Sequence, residues 1–489
     1  MDLFSSLTLP ELTIAITAIV VIFLDLFVLR KSILAVVSIA GLIIAGVFSF
    51  TLWDTPSAGS ILGGNFVVDN FAVFFKLLII GIAILVILAT TNYVSKLTRL
   101  RGEFHALILT SALGLIIMAA GVELITIYVG LELASISLYA LSGFLKDGKS
   151  SESALKYLLL GATASAVLLY GMALVFGMTG QTNLLGIAQS VGQMSVGLIK
   201  DSPAFLFGLV LMIGGFGFKI AAVPFHMWIP DVYEGAPTPI TAYLSVASKA
   251  AGFAVILRVF YTAFSIPDSL SLDWGMMFAI LAAVSMTLGN VAAIPQSNIK
   301  RMLGYSSIAQ AGYLMIGLAT AGVAATTDII GRSGVLFFLA GYALTNLGAF
   351  IAIIAISQKA NSDLIQDFTG MGRRAPIMAA ALTLCLISLI GIPPAVGFMG
   401  KFYIFSGAAQ HGLLWLVIIA VINSVISAYY YLRVVKVMWF NEPVSQEKVP
   451  SSVALKIGLS LTSLGVLFVG IFPGWLMKLA ETAAKIVTR

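Results

Sequence analysis

The stretch PAFLFGLVLMIGGFGFKIAAVPFH, residues 203–226, decides the fold of this chain. It is long and apolar enough to cross a bilayer, which takes roughly 20 predominantly apolar residues, yet it contains Lys219 and Pro224. A charge near the bilayer centre costs at least about 2.5 kcal/mol, and proline removes a helical hydrogen bond. Buried charge and freed backbone are tolerated at membrane depth only where protein or a water path satisfies them. The segment therefore belongs to a bundle with a polar interior, and it reads as a broken helix, interrupted around Gly215, Gly217 and Pro224.

The rest of the chain agrees. Of its 489 residues, 60% are hydrophobic and 10% charged, with mean hydropathy +1.06, whereas soluble domains carry roughly 25% charged residues. The apolar runs are continuous instead of alternating over about ten residues, which excludes a membrane β-barrel. Apolar windows bounded by charge, Gly and Pro predict an all-α polytopic membrane protein of about 14 transmembrane helices. These begin near residues 11, 33, 71, 104, 123, 154, 203, 238, 274, 301, 331, 376, 411 and 454. No basic region precedes the first run, so that span is expected to remain as a membrane helix.

A second stretch, GIPPAVGFMGKF at 391–402, repeats the combination: Lys401 follows Pro393 and Pro394. Lys219 and Lys401 are five helices apart, and an odd-numbered repeat must run in the opposite direction through the membrane. This predicts two inverted five-helix repeats, residues 101–265 and 266–440, with helices 7 and 12 broken. A three-helix segment, 1–100, precedes them and a C-terminal helix, 441–489, follows. Inverted repeats and broken helices mark transporter binding sites.

The net charge of +6 is explained by the positive-inside rule and not by nucleic acid. With both termini outside, the inner connections collect most basic residues, among them Lys31, Arg101, Lys300, Arg301, Arg373, Arg374 and Lys456; the outer connections receive only Lys200 and Arg332. Cys385 is the single cysteine, and His105, His226 and His411 are scattered. No thiolate set, zinc site or haem pair can be built from this inventory, and no cofactor or metal site is expected on the chain.

The charges left inside apolar segments are informative. Glu132 lies about 13 Å into the fifth helix at 1.5 Å per residue, and Lys219 is its natural partner. Such a pair serves either proton movement or structure. Lys249, about 16 Å into the eighth helix, has no acidic residue within a turn on its own helix. A lysine so placed can release and rebind a proton near neutral pH, or be capped by carbonyls. Glu152 and Lys156 share a helix face at i, i+4, as a surface pair or as a relay element. His226 shuttles protons or caps carbonyls freed by Pro224 and Pro230. Lys76 and Arg258, near helix ends, read as snorkelling side chains.

Five stretches together carry a resemblance: YVGLELASISLYAL, SESALKYLLLGATAS, GFKIAAVPFHMWIPDVYEGAPTPITAYLS, NIKRMLGYSSIAQAGYL and GIPPAVGFMGKFYIF. The chain resembles the antiporter-like membrane subunits of respiratory complex I, the NADH-quinone oxidoreductase, and among them the branch of bacterial subunit N, the counterpart of mitochondrial subunit 2. Lys401 argues against subunit M, which typically has Glu there, and the chain has no room for the lateral helix of subunit L. The resemblance implies redox-coupled proton translocation in a bacterial inner membrane. Glu132, Lys219, Lys249 and Lys401, with Lys156 and His226, would be the proton-transfer residues. It implies subunit M and small membrane subunits as partners, with NADH, FMN, iron–sulfur clusters and quinone handled by other subunits. Many relatives have His where this chain has Gln310, which cannot titrate. The same motifs are shared with multisubunit sodium/proton antiporters, alternative-donor dehydrogenases and membrane-bound hydrogenases.

Overall fold

The computed structural model describes residues 6–29, 31–54, 60–61, 64–93, 100–194, 202–265, 268–323, 329–443 and 452–485; Lys200 lies outside them. Among the described residues thirteen helices are long and apolar enough to cross a membrane. In chain order these spans are Leu9–Phe27, Ser32–Thr51, Asn70–Tyr93, Arg101–Ala120, Leu124–Ser142, Gly148–Thr179, Pro203–Ile220, Thr238–Ala263, Asp268–Ala293, Ile299–Val323, Ile330–Ala360, Leu414–Phe440 and Val453–Ile471. The twelfth crossing is broken into Pro376–Ile390 and Val396–Gln410, so Leu414–Phe440 and Val453–Ile471 are the thirteenth and fourteenth. Among the described residues the only sheet is the pairing of Ser60–Ile61 with Phe66–Val67. Short helices outside the expected spans include Leu184–Gln193, between the sixth and seventh spans, and Gly474–Ala484, after the fourteenth.

The eighth, tenth and eleventh spans are buried along nearly their whole length and form the middle of the bundle. The first, sixth, thirteenth and fourteenth expose apolar faces, with Phe27, Leu159, Val425 and Leu464 among the exposed large side chains. This is inside-out only by the standards of water: a bilayer solvates those faces, and the polar groups are drawn inward.

Local chemistry sets the boundaries. Glu123 accepts the Thr126 amide at 3.0 Å and starts the fifth span, and Asn298 accepts the Lys300 amide at 2.9 Å at the start of the tenth. These two turns are matched in a second way. Glu123 bridges to Asn183 and Asn298 to Leu364, each tying a span's start to the connection after the next span. The fourth and fifth spans touch backbone to backbone: a Cβ on Gly114 would lie 2.5 Å from the Ala134 nitrogen and 2.7 Å from the Gly130 oxygen. Gly289 meets Ala309 and Tyr305 in the same way, at 2.6 and 2.8 Å, between the ninth and tenth spans.

Both breaks begin with a left-handed residue, Ala221 at φ 61° and Gly391 at φ 92°. Each amide turns back to carbonyls of the preceding turn, Gly217 and Phe218 in the first case, Ile387 and Ser388 in the second. The seventh helix resumes as the short helix Trp228–Gly235. Gly215 and Gly217, read from the sequence as part of the break, lie instead inside an unbroken helix. Their role is packing. A Cβ on Gly215 would meet Leu168 Cβ at 2.5 Å, and one on Gly217 would meet the folded-back Phe225 ring at 2.9 Å. The interruption itself belongs to Pro224, and in the twelfth helix to Pro393 and Pro394.

Candidate functional site

The three deep lysines lie inside the bundle, on the seventh, eighth and twelfth crossings, and Glu132 is half-buried on the fifth. Lys219, Lys249 and Lys401 are each 1–4% exposed, and each is supported by hydroxyls or carbonyls instead of a contacting carboxylate. Lys219 Nζ donates to Ser135 Oγ at 3.0 Å. Ser135 is three residues beyond Glu132, on the same face of the fifth span. Glu132 in turn accepts a short hydrogen bond from Ser165 on the sixth span. The direct Glu132–Lys219 ion pair expected from the sequence is therefore absent among the described ion pairs; serine hydroxyls occupy both partners. A cavity of roughly 10 Å³, bounded by Ser135, Ser165, Tyr139 and Lys219, lies beside Lys219, close to the size of one water.

Lys249 follows a π-helical turn, Leu244–Ser248, the kind of wide turn that recurs at functional sites. Its ammonium donates to both the carbonyl and the hydroxyl of Ser307 on the tenth span. Ser307 is a hub, because Tyr342 donates to the same Oγ at 3.1 Å and the Tyr233 hydroxyl lies at 3.1 Å. Gly252, three residues beyond Lys249 on the same helix, packs against the seventh span: a Cβ there would lie 2.7 Å from Ile220 Cγ2 and 3.5 Å from Lys219 Cγ.

Gln310, one turn beyond Ser307, donates to the Leu389 carbonyl at 3.0 Å. Lys401 donates to that carbonyl at 3.1 Å, to Ile390 O at 2.9 Å and to Ser424 Oγ at 3.2 Å. These carbonyls are freed by the break at Gly391, so the second half of the broken helix caps the first. The Lys401 ammonium also lies 4.1 Å from the Tyr313 ring centroid, a cation–π contact. Tyr313 continues into a buried polar set, accepting from Asn290 at 3.2 Å, while Asn290 accepts from Tyr430 at 3.0 Å.

Lys156 is a surface residue by comparison, with 43% of its side chain exposed. It sits 2.8 Å from both Glu152 and Asp231. Arg301 holds the same Asp231 at 2.6 Å and Glu234 at 3.2 Å. Burial alone would raise the Asp231 carboxyl, but hydrogen bonds from Lys156 and Arg301 outweigh it and hold the group below its ordinary 3.8. His226 is largely buried, 9% exposed, and its Nδ1 has no hydrogen-bond partner among the described residues.

Three charges were misjudged from the sequence. Lys76 does not snorkel; it is 1% exposed and paired with Glu11 at 2.6 Å. Arg258 grips Asp69 with two bonds of 2.9 Å and donates to Ala119 O at 3.0 Å. Both partners sit on distant segments, which spacing along one helix cannot reveal. Lys300, counted as an orientation charge, is 4% exposed, donates to Ala236 O at 2.9 Å and faces Asp363 at 3.5 Å. It lines a polar cleft of about 450 Å³ with Glu234, Ser357 and Gln358; Ser357 Oγ and Gln358 Nε2 are buried there without hydrogen-bond partners among the described residues.

Among the described residues no group of three or more His, Cys, Asp or Glu is placed to hold a metal. Cys385 is buried, its sulfur packed against Gly348. One thiol with no ligand beside it does not fit an iron–sulfur cluster.

Comparison with known proteins bears on this arrangement. Residues 121–427 match the family described as NADH:quinone oxidoreductase/Mrp antiporter, TM. The NADH-quinone oxidoreductase subunit N of Dehalococcoides mccartyi is 49% identical over 489 residues, covering 100% of both chains. The protein of the same name from Trichlorobacter lovleyi is 43% identical, covering 98% of this chain and 96% of that one. Among solved structures, respiratory complex I from Thermus thermophilus with bound aureothin contains a chain 32% identical, with TM-score 0.80, covering 96% of this chain and 99% of that one. The archaeal membrane-bound sulfane sulfur reductase contains one at 26% identity and TM-score 0.88, covering 99% and 98%. The Mrp complex from Dietzia, at 19% identity and TM-score 0.83 over 100% and 98%, shares the fold. By full-length identity and by the family match across its central helices, the chain belongs to the NADH:quinone oxidoreductase/Mrp antiporter family of membrane subunits.

Proposed function

We propose that this chain is the proton-translocating subunit N of an NADH-quinone oxidoreductase, coupling quinone reduction elsewhere in the complex to proton transfer along its buried Lys and Glu residues. The observation that carries this reading is the continuity of the buried lysine series. Gly252, on the helix of Lys249, packs beside Lys219; Lys249 binds Ser307; and Gln310, one turn on, shares the Leu389 carbonyl with Lys401. Ionisable groups in a membrane interior are expensive and mark proton or ion paths. This series is spaced by hydroxyl, amide and carbonyl groups that hold a proton's positions open without neutralising the lysines by contact with acid.

In this mechanism a shift of Glu132 away from Lys219 releases the Lys219 proton toward Lys249. Lys249 passes its charge by way of Ser307 and the Gln310 region to Lys401, and from there to the outer face. Because Gln310 cannot titrate, its step uses water as the relay. Reprotonation comes from the cytoplasmic side near His226 or Lys156. The halves 101–265 and 266–440 act as inverted repeats. The matched turns at Glu123 and Asn298, the matched contacts at Gly114 and Gly289, and the matched breaks at Ala221 and Gly391 support that division.

On this reading the chain lies in a bacterial inner membrane with both termini outside. It adjoins an antiporter-like subunit M and small membrane subunits, while NADH, FMN, iron–sulfur clusters and quinone are bound by partners. A sodium/proton antiporter subunit is the competing assignment. Identities of 43–49% along the chain to proteins named subunit N favour the oxidoreductase. The test is proton transport by the purified complex, driven by a defined donor and quinone, with and without sodium. Lys219→Ala and Lys401→Ala are expected to abolish most transport; unchanged transport with normal assembly rejects their roles, and a strict sodium requirement rejects the proton assignment.

A further inference from the structure

A groove of about 560 Å³ runs along the bundle between the eleventh and fourteenth spans and the first half of the twelfth. Its walls are apolar, built from Ile351, Leu384 and Leu464 among others, and Lys456 is the only charged lining residue among the described residues. Lys456 is exposed in the first turn of the fourteenth span. Ile377, 77% exposed, forms the facing rim, four residues after Arg373, which is also exposed.

The polar lining is ordered by depth. Lys456, Ser460 and Ser463 follow one another at i, i+4 and i+7 on one helix face, so the serines lie about 6 and 10 Å deeper than the lysine. Ser463 Oγ is buried without a hydrogen-bond partner among the described residues. Below it the groove is hydrocarbon. A glycerophospholipid presents the complementary order: an anionic phosphate, then glycerol ester oxygens that accept hydrogen bonds, then acyl chains. We propose that this groove is a retained site for one anionic phospholipid, with the phosphate on Lys456, an ester carbonyl at Ser460 or Ser463, and a chain along Ile351, Leu384 and Leu464.

A zwitterionic headgroup also offers its phosphate but brings its own ammonium beside Lys456, whereas an anionic one does not, and an apolar protein helix leaves both Lys456 and Ser463 unanswered. Basic residues at a membrane surface attract anionic lipid at about 1 kcal/mol each, a factor of roughly five. Retention therefore favours anionic over zwitterionic lipid by about fivefold through Lys456.

The test places a reporter in the groove of the assembled complex. Ile377→Trp introduces an indole at the rim, whose fluorescence above that of the parent complex is quenched by brominated lipid. Brominated phosphatidylglycerol is expected to quench it at about one fifth of the concentration that brominated phosphatidylcholine requires. Lys456→Gln removes that preference, and Lys456→Arg keeps it. Equal quenching by the two lipids, or a preference that survives Lys456→Gln, overturns the site. So does an indole shielded from both lipids in the complex, because a partner chain then fills the groove. Assembly of each variant is checked by the unchanged yield of intact complex.

Discussion

Lys401 and Gln310 donate to one and the same carbonyl, that of Leu389, at 3.1 and 3.0 Å. The terminal lysine of the series is thereby joined to the tenth span by a residue that cannot carry a proton itself. Gln310 Oε1 is buried without a partner among the described residues, which leaves room for a bridging water beside a polar group that needs one. Gln310→Leu removes both the bond to Leu389 and the polar lodging for water. Protons moved per electron are expected to fall in the reconstituted complex while quinone reduction continues. Gln310→His, which restores both hydrogen-bonding capacities, is expected to keep the ratio near the parent value. A full ratio in Gln310→Leu would place the route elsewhere.

Ser307 is the corresponding junction for Lys249. Hydrogen bonds to charged groups are worth about 1.5–3 kcal/mol, and Ser307 Oγ serves Lys249, Tyr342 and Tyr233 together. Ser307→Ala leaves the carbonyl but removes the hydroxyl. Coupled turnover is expected to drop by roughly ten- to a hundredfold, the rate equivalent of that energy. Ser307→Thr, which retains the hydroxyl, is expected to recover most of it. Stopped-flow proton uptake on both variants distinguishes a route through this hydroxyl from a merely structural bond.

These two residues also show where sequence reading stops. Lys219, Lys249 and Lys401 stand out because charge is scarce and expensive in an apolar helix, and Pro224, Pro393 and Pro394 stand out because proline breaks one. Serine carries no such penalty in a membrane helix, since its hydroxyl can bond a carbonyl one turn back, as Ser142 does to Leu138 at 2.8 Å. Nothing in the sequence separates Ser307 or Ser135 from Ser142; packing against another span makes the difference. The partners of Lys76 and Arg258 were hidden for a related reason, lying on separate segments brought together only by the fold. The glycines at 215 and 217 misled in the other direction: next to a lysine and a proline they looked like part of the break, but a glycine facing Leu168 or Phe225 is what close packing demands.

The hydroxyls between Glu132 and Lys219 give the driving pair a distinctive dependence. Ser165 and Ser135 satisfy acid and base separately, so neither relies on contact with the other. Replacing one serine by alanine leaves the opposite charge satisfied and is expected to slow proton transport severalfold. The double variant Ser135→Ala, Ser165→Ala strips both and is expected to resemble Glu132→Gln in its loss of transport. The proton-to-electron ratio of the single and double variants is the measurement. A double variant no worse than either single one would remove the serines from the coupling.

The Asp69–Arg258 pair predicts a stability effect with a definite sign in pH. Both side chains are 2% exposed, and breaking a buried pair from one side costs about 3–5 kcal/mol. Asp69→Asn is therefore expected to lower the thermal unfolding temperature of the detergent-solubilised complex, and the double variant Asp69→Asn, Arg258→Met to recover part of the loss. Burial pushes the Asp69 carboxyl upward, but the charge and hydrogen bonds of Arg258 outweigh it and hold the group below its ordinary 3.8. A carboxyl depressed on folding contributes stability that is complete above its unfolded value and is lost as pH falls through the lower folded value. The gap in unfolding temperature between parent and Asp69→Asn should consequently be constant at neutral pH and close only below about 3.8. A gap that narrows on raising the pH from 5 to 8 would contradict an ionised Asp69 as the source of the effect.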